Sequence, residues 1–332
     1  MTIQEIKTAI ETIVDPSRGQ DLAQLNAIKH IGIDEDKHTV VLIIEVGKKN
    51  TETTSQLSRQ LAKVIKLDLG FKGVLVEYEQ VRPSALSKTV RIVGIISGKG
   101  GVGKSSVTAN LAYAMTSLGK KVGVIDADIY GANLPKIFDL KEQELMGTPD
   151  EKIYPAIKDG IEMVSTEFFV EKDRALMWRG PLLGKVLKIF FEDTIWSKNL
   201  DYLLIDFPPG TGDVMMDVSR FVPDIKVLLV TTPHPGAAHI AIKAGFAAVN
   251  LKQDLLGVIE NMSYYEVDDT KHYIFGTGGG EKVADKLLIP LIHQIPIGLP
   301  DDAHNSIFPP ESPIGIHYLT LARKVMTAYD QH

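Results

Sequence analysis

The sequence predicts an α/β protein with a mostly parallel, doubly wound sheet, preceded by a small α/β domain. Three observations support this prediction. From residue 91 to residue 332, apolar runs typical of buried strands alternate with stretches of helical periodicity. A glycine-rich loop separates the first of these runs from the first helical stretch. Residues 1–82 have their own alternation of helix and strand, and residues 83–90 resemble a linker.

The small N-terminal domain is predicted from two amphipathic helical stretches and two strand-like runs. The helices are expected over residues 2–13 and 53–70, and the strands over residues 38–46 and 73–81. A turn is expected at "VDPSRG", residues 14–19. The order predicted for this domain is therefore helix, strand, helix, strand.

The larger domain is predicted from seven apolar runs that are short enough to be strands. They are residues 90–97, 120–128, 161–166, 200–210, 225–233, 255–263 and 291–297. In parallel sheets with helices on both faces, ligands bind beyond the carboxyl ends of the strands. The candidate functional residues all follow such runs.

Composition limits the possible functions. With 44% hydrophobic residues in 332, the chain can bury a large core. We expect a cytoplasmic protein, because no apolar run reaches the ~18 residues of a membrane span and the N-terminus lacks signal-peptide features. A net charge of −6 gives no general attraction to nucleic acid or anionic lipid. The absence of cysteine excludes disulfides and cysteine-ligated zinc or iron–sulfur sites.

Residues 98–105 match the pattern G-x-x-x-x-G-K-[ST] of a phosphate-binding loop, the P-loop. The glycines allow backbone N–H groups to converge on an anion, Lys104 adds charge at the phosphates, and Ser105 offers a hydroxyl to Mg²⁺. A helix ending near Gly119 should follow, which places the phosphates at a helix N-terminus. The predicted nucleotide-binding residues are Gly98, Lys99, Gly100, Gly101, Val102, Gly103, Lys104, Ser105 and Ser106.

Three carboxylates follow predicted strands: Asp126, Asp128 and Asp206. P-loop enzymes use such groups to support Mg²⁺ and to orient the attacking water. Asp206 is assigned to the metal shell. Asp126 and Asp128 have an alternative interpretation as helix N-cap or turn residues.

Residues 208–213, "PPGTGD", combine stiff prolines with permissive glycines beside the expected γ-phosphate position. This composition suits a switch loop with two arrangements, although a rigid turn would look the same. The predicted switch residues are Asp126, Pro209, Gly210, Thr211 and Asp213.

Six ordered motifs make residues 89–325 resemble the Mrp/ApbC family of P-loop ATPases, part of the deviant Walker A class that includes MinD- and ParA-like proteins. They are "KGGVGKSS", "DADIYGANLP", "WRGPLLGKVL", "DFPPGTGD", "GVIENMSYY" and "FGTGGGEKVAD". The N-terminal part resembles the MIP18-type domain that is often fused to these ATPases.

The resemblance implies a slow Mg²⁺-dependent ATPase that forms a homodimer across bound ATP. Lys99 would reach the phosphates of the partner's ATP, and Asp128 would orient the water. Asn261 would contact adenine, with a strand-end cap as the alternative, and Pro296 would lie in the base-flanking loop. Lys104, Ser105 and Asp206 would hold the phosphates and Mg²⁺.

The sequence departs from the cluster-carrying members of this family, which have a C-x-x-C segment after "NMSY". Here the segment is "YYEVDDTKH", whose Glu266, Asp268, Asp269 and His272 cannot hold an iron–sulfur cluster in the usual way. We expect a solvated loop there. A metal site at His234 and His239 is not expected, because they do not share a helix face.

The missing cysteines make the chain similar to SalA-type proteins, which are associated with transcriptional regulation. The first hypothesis is therefore an ATP-driven switch acting on DNA or a regulatory protein. The basic residues Arg179, Lys185, Lys188, Lys243, Lys252, Lys282 and Lys286 could anchor DNA or simply be solvated. The alternative is an iron–sulfur cluster carrier.

A third hypothesis is a MinD-like ATPase that cycles on a membrane. It depends on an apolar stripe near the C-terminus: Leu319, Ala322, Val325, Met326 and Tyr329. A stripe at helical spacing usually packs on its own domain. No stable membrane association is expected.

Overall fold

The computed structural model describes residues 2–17, 19–25, 27–46, 51–80, 86, 89–129, 131–140, 145–149, 151–169, 180–210, 212–300 and 306–331. The chain divides into two compact units, Met1–Pro83 and Ser84–His332. Most of the predicted linker, as well as Arg179 and Thr211, lies outside the described residues. The predicted domain limits themselves stay a prediction.

The first unit is a three-stranded sheet packed against helices. Its elements are α1 (Ile3–Ile10), β1 (Ile28–Asp34), β2 (Thr39–Val46), α2 (Thr51–Ala62), which continues in π-helical turns over Lys63–Asp68, and β3 (Gly73–Gln80). Strand β2 pairs antiparallel with β1 and parallel with β3. Every second residue of β2 is buried with the apolar faces of α1 and α2, so one face of the sheet forms the core of this unit.

The second unit contains an eight-stranded sheet in the order β13-β10-β9-β4-β8-β5-β7-β6. The strands are β4 (Arg91–Ser97), β5 (Val122–Asp126), β6 (Ala156–Lys158), β7 (Ile161–Ser165), β8 (Tyr202–Asp206), β9 (Lys226–Thr231), β10 (Asp254–Glu260) and β13 (Leu291–Gln294). All pairs are parallel except that of β6 with β7. The predicted doubly wound α/β fold is confirmed.

Helices cover both faces of this sheet. They are α3 (Lys104–Ser117), α4 (Leu134–Ile137), α5 (Gly180–Lys188), α6 (Gly212–Phe221), α7 (Pro235–Asn250), α8 (Gly279–Leu287) and α9 (Pro313–Gln331). Residues of α3 and α9 pack with Ile95 and Leu204 on one face. Residues of α5 to α8 pack with Ile96 and Ile205 on the other. Successive strand residues therefore supply two separate hydrophobic layers.

The apolar stripe of α9 packs within its own unit, as predicted. Ala322 and Val325 are fully buried in the same core as α3, and Leu319, Met326 and Tyr329 pack against it. In the described part of the chain, no helix combines the length and apolar composition that crossing a membrane requires.

Candidate nucleotide-binding site

The glycine-rich loop connects β4 to α3, and its backbone requires glycine at defined positions. Gly101 and Gly103 have φ values of 81° and 82°, in the left-handed region that side chains disfavour. A Cβ on Gly98 would lie 2.4 Å from the carbonyl carbon of Ile240, so α7 packs directly on the loop. Helix α3 starts at Lys104 and ends before Gly119, whose φ is 81°.

A buried cluster of charged and hydroxyl groups lies under this loop. The Asp206 Oδ2 atom is 2.6 Å from the Lys104 Nζ atom and accepts a hydrogen bond from Ser105 Oγ at 2.6 Å. Its Oδ1 atom accepts from Thr108 Oγ1 at 2.7 Å. Because both partners of the ion pair are buried, removal of one would leave a charge without compensation, a change that typically costs about 3–5 kcal/mol.

Thr108 belongs to this cluster although the sequence analysis did not identify it. It lies one helical turn after Lys104, so both side chains share the face of α3 that points to β8. That spacing was the available signal, but the loop motif ends at Ser105 and gives no reason to continue into the helix. Ser106 is half-buried, and its carbonyl accepts a hydrogen bond from the Asn110 side chain at 2.8 Å.

Asp126 is buried beside Asp206, and the two residues are register partners in the β5–β8 pair. Its carboxyl accepts from the backbone N–H of Asp128 at 3.2 Å, the N–H of Leu134 at 3.3 Å and Ser165 Oγ at 3.2 Å. Burial, followed by the nearby charge of Asp206, raises the pKa of Asp126 to about 7. Asp126 therefore ties both ends of the loop between β5 and α4.

Asp128 is half-buried, and burial raises the pKa of its carboxyl. The backbone N–H of Gly131 donates to Asp128 Oδ1 at 3.2 Å and to its carbonyl at 3.1 Å. These are turn contacts, which the sequence analysis gave as the alternative interpretation. Of the two side-chain oxygens, only Oδ1 accepts the hydrogen bond of this turn.

The predicted switch segment follows β8 and is anchored on β4. The N–H of Phe207 donates to the Ile95 carbonyl at 3.0 Å, and the N–H of Gly210 donates to the Ser97 carbonyl at 3.0 Å. Gly210 has a φ of 70°. Pro209 is half-buried, and Asp213 is exposed in the first turn of α6. Thr211 is outside the described residues.

Asn261 and Pro296 lie on the β10 side of the loop. The Asn261 side-chain N–H donates to the Val102 carbonyl at 3.0 Å, and a Cβ on Gly103 would be 2.3 Å from Asn261 Nδ2. Asn261 thus fixes the phosphate loop itself. Pro296 sits between Ile295 and Ile297, whose N–H groups donate to the carbonyls of Glu260 and Tyr264 at 2.9 Å and 2.7 Å.

Glu260 organises this side of the site, and sequence reasoning missed it. Its carboxylate is buried and accepts from Ser263 Oγ at 2.6 Å, Gln294 Nε2 at 2.8 Å and the Gly280 N–H at 2.6 Å. It joins the segment after β10, strand β13 and the first turn of α8. The one sequence signal for this role was a charged residue, Glu260, within an apolar run that was expected to be buried.

Lys99 is exposed, in contrast to Lys104. Its backbone carbonyl accepts from Ser97 Oγ at 3.1 Å, but within the described residues its side chain has no ion-pair partner. The two lysines of one loop therefore face different surroundings. Lys104 is held in the buried cluster, whereas the Lys99 ammonium is in solvent.

The segment "YYEVDDTKH", expected to be a solvated loop, forms a short hairpin. Strands β11 (Tyr265–Val267) and β12 (Thr270–His272) pair antiparallel, and the turn residues Asp268 and Asp269 have φ values of 47° and 57°. Residues 265–272 are solvent-exposed, as predicted, whereas Tyr264 at the start of the segment is buried. Across the described ranges, no three or more of the His, Asp and Glu side chains are placed to hold a metal ion.

The remaining sequence candidates have simpler roles. His234 is the N-cap of α7 and accepts from the Gly236 N–H through Nδ1 at 3.0 Å. Lys188 pairs with Asp193 at 3.0 Å. Five of the basic residues proposed as DNA anchors are exposed and spread over several surfaces: Lys185, Lys243, Lys252, Lys282 and Lys286.

Comparison with known proteins agrees with this geometry. Residues 88–308 match the family model described as ParA, the NUBPL iron-transfer P-loop NTPase. The chain belongs to this family. Residues 3–74 also match a model described as an iron-sulfur cluster assembly protein. The resemblance to Mrp-like P-loop NTPases with an N-terminal MIP18-type domain is confirmed.

Relatives of this NTPase family cover nearly the whole chain. A Bacillus subtilis protein named iron-sulfur cluster carrier protein is 37% identical over 97% of this chain and 96% of its own length. A protein of the same name from Escherichia coli is 33% identical over 93% of this chain and 88% of its own length.

Solved structures match about 71% of the chain. A nucleotide-binding protein from Archaeoglobus fulgidus in complex with ADP is 32% identical with a TM-score of 0.54, covering 71% of this chain and 88% of its own. The cell division ATPase MinD of Pyrococcus furiosus is 25% identical with a TM-score of 0.53, covering 71% of this chain and 98% of its own.

Proposed function

We propose that this P-loop NTPase is a slow, Mg²⁺-dependent ATPase that works as a dimeric switch. One observation carries the proposal. The buried Lys104 and Asp206 and the half-buried Ser105 converge within hydrogen-bond distance beneath a glycine loop at the carboxyl ends of β4 and β8. A cation, a hydroxyl and a carboxylate in this arrangement serve the binding of a nucleotide triphosphate with its magnesium ion.

The residues present fit a magnesium ion. Ser105 Oγ and Asp206 Oδ2 are 2.6 Å apart, and hard oxygen atoms are the ligands that Mg²⁺ prefers. Asp206 would support the metal shell while Ser105 contributes its hydroxyl. The Lys104 ammonium, which pairs with Asp206, would also contact the phosphates. The charge of the phosphates would be further neutralised by the backbone N–H groups of the loop, those of Gly100, Gly101, Val102 and Gly103.

Hydrolysis in this proposal depends on Asp128 and on a second copy of the chain. The half-buried Asp128 carboxylate would orient the attacking water. The exposed Lys99 ammonium, which has no ion-pair partner among the described residues, would neutralise phosphate charge across the interface of a homodimer, as an arginine finger does in other NTPases. The family resemblance supports both roles.

The base and the switch complete the proposed cycle. Asn261 would recognise adenine through its side-chain oxygen while its N–H group holds the loop, and Pro296 would flank the base. The hydrogen bond from the Gly210 N–H to the Ser97 carbonyl gives residues 208–210 a defined position from which the switch segment could rearrange. The differential affinity of ATP and ADP for the two arrangements would supply the conformational output.

The output in this proposal is regulatory, directed at DNA or a protein partner. This chain has no cysteine, and residues 265–272 form a hairpin where the family resemblance implies a C-x-x-C segment in cluster-carrying members. A second candidate is delivery of iron–sulfur clusters, favoured by relatives named iron-sulfur cluster carrier protein and by the match of residues 3–74 to the iron-sulfur cluster assembly model. That function would need cluster ligands from outside this chain.

Three measurements test the proposal. Phosphate release should require Mg²⁺ and stop with EDTA, and light scattering after gel filtration should show a dimer with a non-hydrolysable ATP analogue. An Asp128→Ala variant should retain the ATP-bound dimer. A wild-type chain that binds no nucleotide would overturn the proposal.

The two outputs are separated by different experiments. Fluorescence anisotropy of labelled promoter fragments with Asp128→Ala in ATP, over a salt series, should show nucleotide-dependent binding if the output is DNA. Anaerobic reconstitution with iron and sulfide should leave the protein colourless. Stable cluster absorbance with stoichiometric iron would instead support the carrier function.

A further inference from the structure

A cavity of about 250 Å³ lies between α6 and α7, beside the phosphate loop. Apolar side chains form most of its wall: Ile96, Pro208, Met215, Ile240, Ala244 and Ala247. Backbone of Gly98 and Gly210 closes the side toward the sheet, and Lys243 is its one charged lining residue among those described.

This cavity borders the nucleotide site without including its charged cluster. Lys104, Ser105, Asp128 and Asp206 do not line it. The helix that carries Lys104 packs on the sheet face of Ile95, whereas Ile96 and Met215 belong to the hydrophobic layer of the opposite face. The two sites share the end of β4, Gly98 of the phosphate loop and the segment after β8.

The lining determines the chemistry of a ligand. Apolar walls favour a ligand with an apolar part, because burial of apolar surface is the main favourable contribution to its binding free energy. The exposed Lys243 has no ion-pair partner in the described part of the chain, so its ammonium is free to meet an anion at the mouth. A cavity of about 150 Å³ can hold benzene, so this one has room for roughly ten non-hydrogen atoms.

We propose that this cavity binds a small amphipathic carboxylate, with its apolar chain between α6 and α7 and its carboxylate on Lys243. This site goes beyond the proposed ATPase function, since binding requires no nucleotide. Medium-chain fatty acids and similar aliphatic acids have the required size and polarity.

The cavity is also placed to communicate with the nucleotide. A Cβ on Gly98 would meet the Ile240 backbone at 2.4 Å, and Gly210 is hydrogen-bonded to Ser97. The wall therefore includes the first glycine of the phosphate loop and the predicted switch segment. Any rearrangement of these groups changes the shape of the cavity, so acid and nucleotide should alter each other's affinity by the same factor.

Methyl NMR with ¹³C-labelled methionine tests binding directly, using octanoate as the probe and 1-octanol as its neutral counterpart. Met215 lines the cavity, whereas Met163 is buried in the core of the opposite face and serves as the internal control. Resonances are assigned with Met215→Leu and Met163→Leu. We expect octanoate to shift the Met215 signal in a saturable manner and to leave Met163 unchanged.

Two variants test the proposed contacts. Lys243→Met should weaken octanoate binding about fivefold, as for an exposed ion pair, and leave 1-octanol binding unchanged. The matched control is Lys252→Met, which removes an exposed lysine outside the cavity and should bind as wild type does. Ala247→Leu should block both probes by filling the cavity, with its folding checked by thermal unfolding.

The outcomes are decisive and independent of the ATPase proposal. An unmoved Met215 signal with saturating octanoate, or equal losses in Lys243→Met and Lys252→Met, overturns the site. The titration is repeated in a Lys104→Ala variant, which should bind octanoate even though nucleotide binding is lost. Octanoate binding in a wild-type chain that binds no ATP would support the cavity while refuting the ATPase function.

Discussion

The phosphate-loop cluster and the β11–β12 hairpin follow strands of the same parallel sheet, yet they treat polar side chains in opposite ways. Asp206 is buried and receives contacts from Lys104, Ser105 and Thr108 within 2.7 Å. Residues 265–272 are all exposed, and their acidic groups do not converge. Chemistry that depends on desolvated, converging charges is available at the first region and not at the second.

The difference has a backbone origin. The phosphate loop turns over several residues and has glycine at its positions of positive φ. Such a loop can turn its N–H groups inward. The hairpin reverses the chain in two residues, Asp268 and Asp269, and so directs its side chains to solvent. A two-residue turn has no interior in which ligands could meet.

The largest effect is expected from Lys104→Ala. It should weaken ATP binding at least about a hundredfold, because the phosphates lose a charge-assisted contact. It should also lower the free energy of unfolding by about 3 kcal/mol, since Asp206 stays buried without its partner. Titration with a fluorescent ATP analogue and denaturant unfolding measure the two losses, with Lys252→Ala as the control. Unchanged stability would show that the ion pair is not formed in solution.

Asp126→Asn should alter the pH dependence of stability. The folded pKa of Asp126, about 7, lies above the ordinary value of 3.8, so the folded chain binds this proton more tightly. The stabilisation of the folded chain by protonated Asp126 is complete below pH 3.8 and is lost as the pH rises to about 7. Between pH 4 and 7, the free energy of unfolding of the wild type should therefore fall by on the order of 2–4 kcal/mol relative to that of the variant.

Urea unfolding of both proteins at intervals from pH 4 to 8 measures this difference. The wild-type and variant curves should converge at low pH and separate as the pH rises. Parallel curves would mean that Asp126 has the same pKa in the folded and unfolded chains.

Lys99→Ala should separate dimerisation from folding. Because the side chain is exposed, the free energy of unfolding should change by less than about 0.5 kcal/mol. ATP-dependent dimerisation should be lost, and turnover should fall at least about tenfold. Light scattering and phosphate release give both values. A dimer that persists in this variant would assign Lys99 a role within its own subunit.

The smallest effect is expected in the hairpin. Replacement of Asp268 and Asp269 by Asn-Gly should stabilise this two-residue turn by up to about 1 kcal/mol. Both positions have positive φ, which Asn and Gly adopt more readily than Asp. ATP turnover should stay unchanged. Thermal unfolding and phosphate release check these expectations, and altered turnover would show that the hairpin contributes to the nucleotide site.

Much of the fold could be predicted from the sequence, because buried parallel strands and the glycine loop have strong local patterns. The misses have two causes. Strand β1 has partly exposed residues and no regular alternation, and β6 and the hairpin strands have only three residues each, so periodicity cannot reveal them. Glu260 and Thr108 act through partners far away in the chain.

By itself, the sequence determined the doubly wound sheet, the phosphate loop and the absence of cysteine ligands. These depend on residue type and short-range spacing. Only the tertiary structure decided that Asp126 and Asp206 are adjacent in register, that Lys104 is buried while Lys99 is exposed, and that α6 and α7 enclose a cavity. The physical reason is that burial and the resulting changes in charge interaction come from elements brought together by strand order, which short-range spacing does not encode.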